Sequence, residues 1–187
     1  MIQRFRRKLQ PRLAADGRIR LHLGCGSEYR PGWVNVDNQP GSVCDLCLDF
    51  VHIGARYPAD SVAEIAMIHS LSYLRLWQAR DLLADLHRVL EPSGRLIIEL
   101  PDLAKCCRHV LENEHDPAEY LEGVRALYAF DLDYIKRKKM FTPYAFGWSG
   151  EHLEKELEQI GFRSVTLCPP QTHGPRLWRD IRVEAVK

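Results

Sequence analysis

Residues 18–37 read RIRLHLGCGSEYRPGWVNVD. An apolar run through Ile19, Leu21 and Leu23 ends on Gly24-Cys25-Gly26, and a second run, Trp33–Val36, ends on Asp37. Short apolar runs bounded by glycines predict buried strands of a parallel sheet that enter a tight turn. Glycine suits such a turn because the backbone must take positive φ or approach a ligand more closely than a Cβ allows. An acid at the tip of the next strand lies beside that turn, in the crevice at the carboxyl ends of the strands. There a carboxylate can accept hydrogen bonds from both hydroxyls of a ribose. The stretch therefore predicts a nucleoside-binding site.

The spacing narrows the ligand. Tyr29 stands where the dinucleotide fingerprint has its third glycine, and Asp37 follows Gly26 by only 11 residues, with Pro31-Gly32 between them. That length cannot hold a full crossover helix, so the helix N-terminus that binds a pyrophosphate is at best one turn. NAD and FAD are disfavoured, and a ligand with a ribose but no phosphate is favoured.

Outward from this stretch, Val43–Leu48 predicts a third strand and Val62–His69 a fourth. Leu74–Leu90 carries Ala79, Leu82, Leu83, Leu86, Val89 and Leu90 at helical spacing, ended by Glu91-Pro92-Ser93-Gly94, and Arg95–Leu100 predicts a fifth strand. Helices are expected over Leu103–Leu111, from the capping pair Asp116-Pro117, and from Ser149 to Gly161. Phe162–Cys168 and Leu177–Val186 predict two closing strands. Alternating strands and helices imply an α/β sheet covered on both faces.

The segments LHLGCGSEYRPGWVNVD, DLCLDF, RVLEPSGRLIIELPD and EKELEQIGF resemble class I S-adenosylmethionine-dependent methyltransferases, nearest to a compact subgroup with a short loop after the GCG turn. The resemblance covers roughly residues 20–187 and is poorest around 105–146. It implies a single domain with a Rossmann-like seven-stranded, mostly parallel sheet, helices on both faces and the last strand antiparallel. It also implies S-adenosylmethionine as cofactor and S-adenosylhomocysteine as product. That cofactor has a ribose and no phosphate, in agreement with the spacing.

Carried over residue by residue, the resemblance assigns Leu23, Gly24, Cys25 and Gly26 to the methionyl and ribose portions. Asp37 falls to the ribose and Asp49 to the adenine amino group, with Asp45 as competitor through a one-residue frame error. His69 ends the fourth strand, where the transferred methyl is expected. It is the candidate base; a histidine merely hydrogen-bonded at a strand end is the equal alternative. The subgroup's Leu-Glu-His after that strand is replaced by Leu71-Ser72-Tyr73. Pro101-Asp102 stands where nucleobase and glutamine methylating relatives carry an Asn or Asp followed by two prolines and an aromatic, which argues against those acceptors.

The 187 residues carry 45% hydrophobic and 27% charged residues and a net charge of +1, ordinary for a globular domain. Residues 1–12 hold Arg4, Arg6, Arg7, Lys8 and Arg12 without an acid, so residues 1–17 form a basic N-terminal segment, with an amphipathic helix an option over Met1–Leu13. Nucleic acid is disfavoured as a partner by the near-zero charge. No apolar run reaches the ~18 residues of a membrane span, and no signal-peptide core is seen, so a cytoplasmic location is expected. Six cysteines, including Cys44 and Cys47, are read as reduced thiols, and no metal is expected. A small-molecule or glycan-type acceptor is expected, enclosed by a lid over residues 103–148 and by the loop holding His173. Tyr134, Phe141, Tyr144, Phe146 and Trp148 are the candidate walls, and Lys136–Lys139 is a solvated basic cluster. The alternative is a non-catalytic domain that binds the cofactor or a protein partner.

Overall fold

The structure is a computed structural model that describes residues 15–39, 42–129, 142–172 and 177–187. The N-terminal segment Met1–Leu13, the cluster Lys136–Lys139, Tyr134, Phe141 and His173 lie outside the described residues.

A seven-stranded sheet forms from β1 (Arg20–Leu23), β2 (Val34–Asp37), β3 (Leu46–Cys47), β4 (Val62–Ile68), β5 (Leu90–Pro101), β6 (Arg163–Cys168) and β7 (Asp180–Val186), in the order β3-β2-β1-β4-β5-β7-β6. The first five strands are parallel, and β7 runs antiparallel to both β5 and β6. The helices are α1 (Leu76–Val89), α2 (Leu103–Glu112), α3 (Pro117–Tyr128) and α4 (Gly150–Ile160), with 3-10 segments at Phe50–Arg56 and Leu71–Tyr73.

The pleat sorts the sheet's two faces. Leu21, Leu23, Val34, Val36, Ile65, Met67, Leu96, Ile98 and Val183 belong to one buried cluster, shared with Leu82, Leu83 and Leu86 of α1 and Leu153 and Leu157 of α4. Truncating such a leucine to alanine costs about 2–5 kcal/mol. The alternating positions carry a small second cluster, Ala66, Ile68 and Ile97 against Trp33. Around it runs a chain of ion pairs linking neighbouring strands, Arg20–Glu64 at 3.5 Å, Arg95–Glu64 at 3.9 Å and Arg95–Glu184 at 2.9 Å, extended along β7 by Arg182–Glu184 at 2.7 Å.

Side-chain caps set the helix ends. Asp116 accepts the Ala118 and Glu119 N–H groups, Ser149 accepts that of His152, and Gly161 closes α4 at φ 117°. Two elements differ from expectation. The third strand shrinks from Val43–Leu48 to Leu46–Cys47, because the Asp45 carboxylate turns to the Asn35 backbone N–H (2.9 Å) and side-chain amide (3.0 Å). Glu91–Gly94 is not a break between helix and strand but part of β5. β4 pairs on both sides of it, Val62 with Leu90 and Glu64 with Arg95.

Candidate active site

The parallel strands deliver their carboxyl ends to one edge of the sheet, the edge at which open α/β sheets bind ligands. Gly24 and Asp37 lie there, with His69 after β4 and Asp102 after β5. Asp180, the first residue of antiparallel β7, joins them because it pairs with Pro101.

Gly24 and Gly26 serve different purposes. Gly24 (φ 72°) donates to Val36 O at 2.8 Å, and a Cβ on it would overlap the Ser70 side chain. Its bareness allows β4's continuation to pack on the turn. Gly26 (φ 52°) would carry a Cβ that meets none of the described residues within 4 Å, so its bareness leaves space above the turn among them. The β1–β2 connection contains no helix, in keeping with its length.

Asp37 lies beneath that space and is only 6% exposed. Its Oδ2 accepts the Gly26 N–H at 2.8 Å and its Oδ1 the Gln39 N–H at 2.7 Å. An ionised carboxylate offers about four lone-pair positions, so the two oxygens can take further donors. Leu23 places its side chain in the core, and its carbonyl accepts the Ser70 hydroxyl at 2.8 Å. Cys25 is buried; desolvation first, then the Asp37 charge, pushes its thiol up to about 12, so it stays protonated and inert.

The two candidate acids near β3 separate cleanly. Besides its bonds to Asn35, Asp45 accepts the Tyr29 hydroxyl at 3.1 Å, which commits it to bracing β2. Asp49 instead caps the 3-10 segment, with Oδ1 taking the Val51 N–H at 3.2 Å. The ring of its neighbour Phe50 lies 3.4 Å from where a Gly24 Cβ would stand. Phe50 is a contributor that the sequence reading missed; only the folded contact with Gly24 marks it.

His69 takes the left-handed conformation (φ 53°), with its N–H donated to Glu99 O at 2.7 Å. Its ring points to β7, with Nε2 3.7 Å from Asp180 Oδ2. Next to it, Ala145 and Phe146 donate backbone N–H groups to Ser72 O, which lays residues 142–148 over the 3-10 turn after β4. Tyr144 stacks at a tilt on Tyr73 with centroids 5.0 Å apart, and burial pushes its phenol up. Trp148, an expected wall, is fully buried in the core beside Phe146. Among the described residues no cluster of three metal-ligating side chains occurs, and no helix is long and apolar enough to cross a membrane.

No protein-family model and no curated protein matches the chain. Solved structures do. An S-adenosylmethionine-dependent methyltransferase from Archaeoglobus fulgidus superposes with a TM-score of 0.61 at 15% identity, over 91% of this chain and 86% of that one. Another such enzyme, from Methanosarcina mazei, gives 0.55 at 14% identity, over 90% and 91%. Phosphoethanolamine N-methyltransferase 2 from Haemonchus contortus, solved with phosphomonomethylethanolamine and S-adenosylhomocysteine, gives 0.54 at 11% identity; this chain is covered over 95% and spans 50% of that one. The strand order, the antiparallel β7 and these likenesses establish the fold: it is that of class I S-adenosylmethionine-dependent methyltransferases.

Proposed function

We propose that this chain is an S-adenosylmethionine-dependent methyltransferase acting on a small-molecule or glycan-type acceptor. The observation that carries the proposal is Asp37, a nearly buried carboxylate at the carboxyl end of β2 that faces the unfilled space over Gly26. A ribose diol can donate to the lone pairs that the Gly26 and Gln39 N–H groups leave on this carboxylate. The missing crossover helix removes the pyrophosphate seat that NAD would need. The fold neighbours support the same cofactor class.

In this reading the backbone of Leu23–Gly26 passes beneath the methionyl and ribose portions, Asp37 holds the ribose, and Asp49 meets the adenine amino group. The bound cofactor supplies a methyl already activated on a sulfonium. The chain's own task is to align the acceptor with it and exclude water. His69 takes the acceptor's proton. The described residues 142–148, with Tyr144 laid over Tyr73, cover the acceptor within a single domain.

Calorimetric titration with S-adenosylmethionine, S-adenosylhomocysteine and NAD tests the proposal. Micromolar binding of the two sulfur nucleosides and none of NAD is expected. Binding of NAD alone, or of none of the three, overturns it.

A further inference from the structure

His69 and Asp180 come from different strands and meet over the end of β5. Asp180 is 1% exposed, and Arg179 grips it with both ends of its guanidinium, Nε to Oδ1 at 2.6 Å and Nη2 to Oδ2 at 2.8 Å. That grip fixes the carboxylate in place with Oδ2 turned to His69 Nε2, 3.7 Å away. The imidazole is held from the other side by its strained, left-handed backbone, which is anchored on Glu99 O. Strain of this kind persists only where its surroundings enforce it, and it gathers at functional sites. The second carboxylate near the ring is Glu99, fully buried and matched by Arg182 at 3.5 Å and by donors of Gln171 and Thr172. Asp180 and Glu99 are thus two carboxylates near His69, each with its own arginine. The rings of Tyr73 and Tyr144 stand against each other with centroids 5.0 Å apart.

We propose that Asp180 is a positioning residue for His69 and that the two form a proton-accepting pair serving a hydroxyl acceptor. The proposal rests on the cofactor reading above. The carboxylate selects the tautomer with the proton on Nε2, which leaves the lone pair on Nδ1. As a hydroxyl oxygen attacks, its O–H bond breaks and the proton passes to Nδ1. The electron pair left on oxygen forms the new bond to the methyl carbon, whose bond to the sulfonium breaks with its electron pair left on sulfur as the neutral thioether of S-adenosylhomocysteine. The imidazolium so formed faces Asp180. An amine can shed its proton to water beforehand and needs no such pair, whereas a hydroxyl holds its proton until the transition state. Apo distances between such partners are often long and tighten in the complex.

Nitrogen-15 NMR of the histidines in the S-adenosylhomocysteine-loaded protein, with His69→Gln to assign the signal, reads tautomer and titration midpoint. The Nε2–H tautomer is expected, with a midpoint at least half a pH unit lower in Asp180→Asn, and S-adenosylhomocysteine affinity within threefold of wild type. An Nδ1–H tautomer or an unmoved midpoint overturns the pair. The wild-type tautomer decides by itself should Asp180→Asn not fold. If S-adenosylhomocysteine fails to bind wild type, the cofactor reading fails, and the same spectra of the unloaded protein still judge the pair. Transfer of tritiated methyl to catechol, glucose and glycerol is compared with transfer to benzylamine and cysteamine. Label on a hydroxyl probe, reduced at least tenfold in both variants, is expected. Label only on the amine or thiol, or on no probe, overturns the hydroxyl assignment.

Discussion

The Gly26 N–H donates to Asp37 Oδ2 at 2.8 Å, across the crevice between the ends of β1 and β2. This bond joins the glycine turn to the acid of the next strand, so the turn's shape and the carboxylate's position depend on one another. With Gln39 N–H on the other oxygen, Asp37 is held from two sides.

Asp37→Ala removes the brace on the turn and, on the proposed function, the ribose contact. S-adenosylhomocysteine affinity should fall at least ~10-fold, because a ribose contact to a carboxylate is charge-assisted. Calorimetry reads the change, and unaltered affinity would return Asp37 to a purely structural role.

The two glycines should fail in different ways. Gly24→Ala drives a methyl into Ser70 and should lower the melting temperature, because packing must give. Gly26→Val meets no atom of the described residues at its Cβ and bears the left-handed strain, about 1–2 kcal/mol. The folded Gly26→Val protein should lose cofactor binding. Thermal melts and titrations of both variants separate the cases; normal binding by Gly26→Val would make its turn structural only.

Asp102 secures three elements at once. As the residue after β5 it caps α2 through the Lys105 N–H (3.0 Å), and its other oxygen takes the Gly150 N–H at the start of α4 (3.0 Å). Asp102→Ala should lose about 2–4 kcal/mol, two caps at roughly 1–2 kcal/mol each. Urea unfolding measures it, and a loss below about 1 kcal/mol would show that the helices do not need the clamp.

Glu99 should make the fold acid-sensitive. Burial raises its pKa, but hydrogen bonds from the Thr172 hydroxyl and the Gln171 and Thr172 amides outweigh that and hold the carboxyl below the usual range. A carboxyl depressed in the folded state contributes stability above its unfolded pKa, about 4.3, which is lost as pH falls through the folded value. Urea midpoints should therefore fall from about pH 4.5 downward, and Glu99→Gln should flatten that fall while lowering stability at neutral pH. Parallel pH profiles for the two proteins would contradict the assignment.

Local chemistry wrote much of this molecule into its sequence. The apolar runs around Gly24-Cys25-Gly26, the acid at Asp37, the short connection between them, the helical spacing of Leu82, Leu83 and Leu86, and the caps at Asp116, Ser149 and Gly161 were all legible. Each depends on the conformation of a few neighbouring residues. Tertiary structure decided the rest. The contact with Ser70 shows why Gly24 must be bare, and the fold binds Asp45 to Asn35 while Asp49 caps a 3-10 turn. Trp148 was drawn from an expected pocket wall into the core. The order β4-β5-β7 carried Asp180 to His69. Such pairings join strands remote in sequence and are selected by the burial of the whole sheet, a quantity that no single stretch of residues contains.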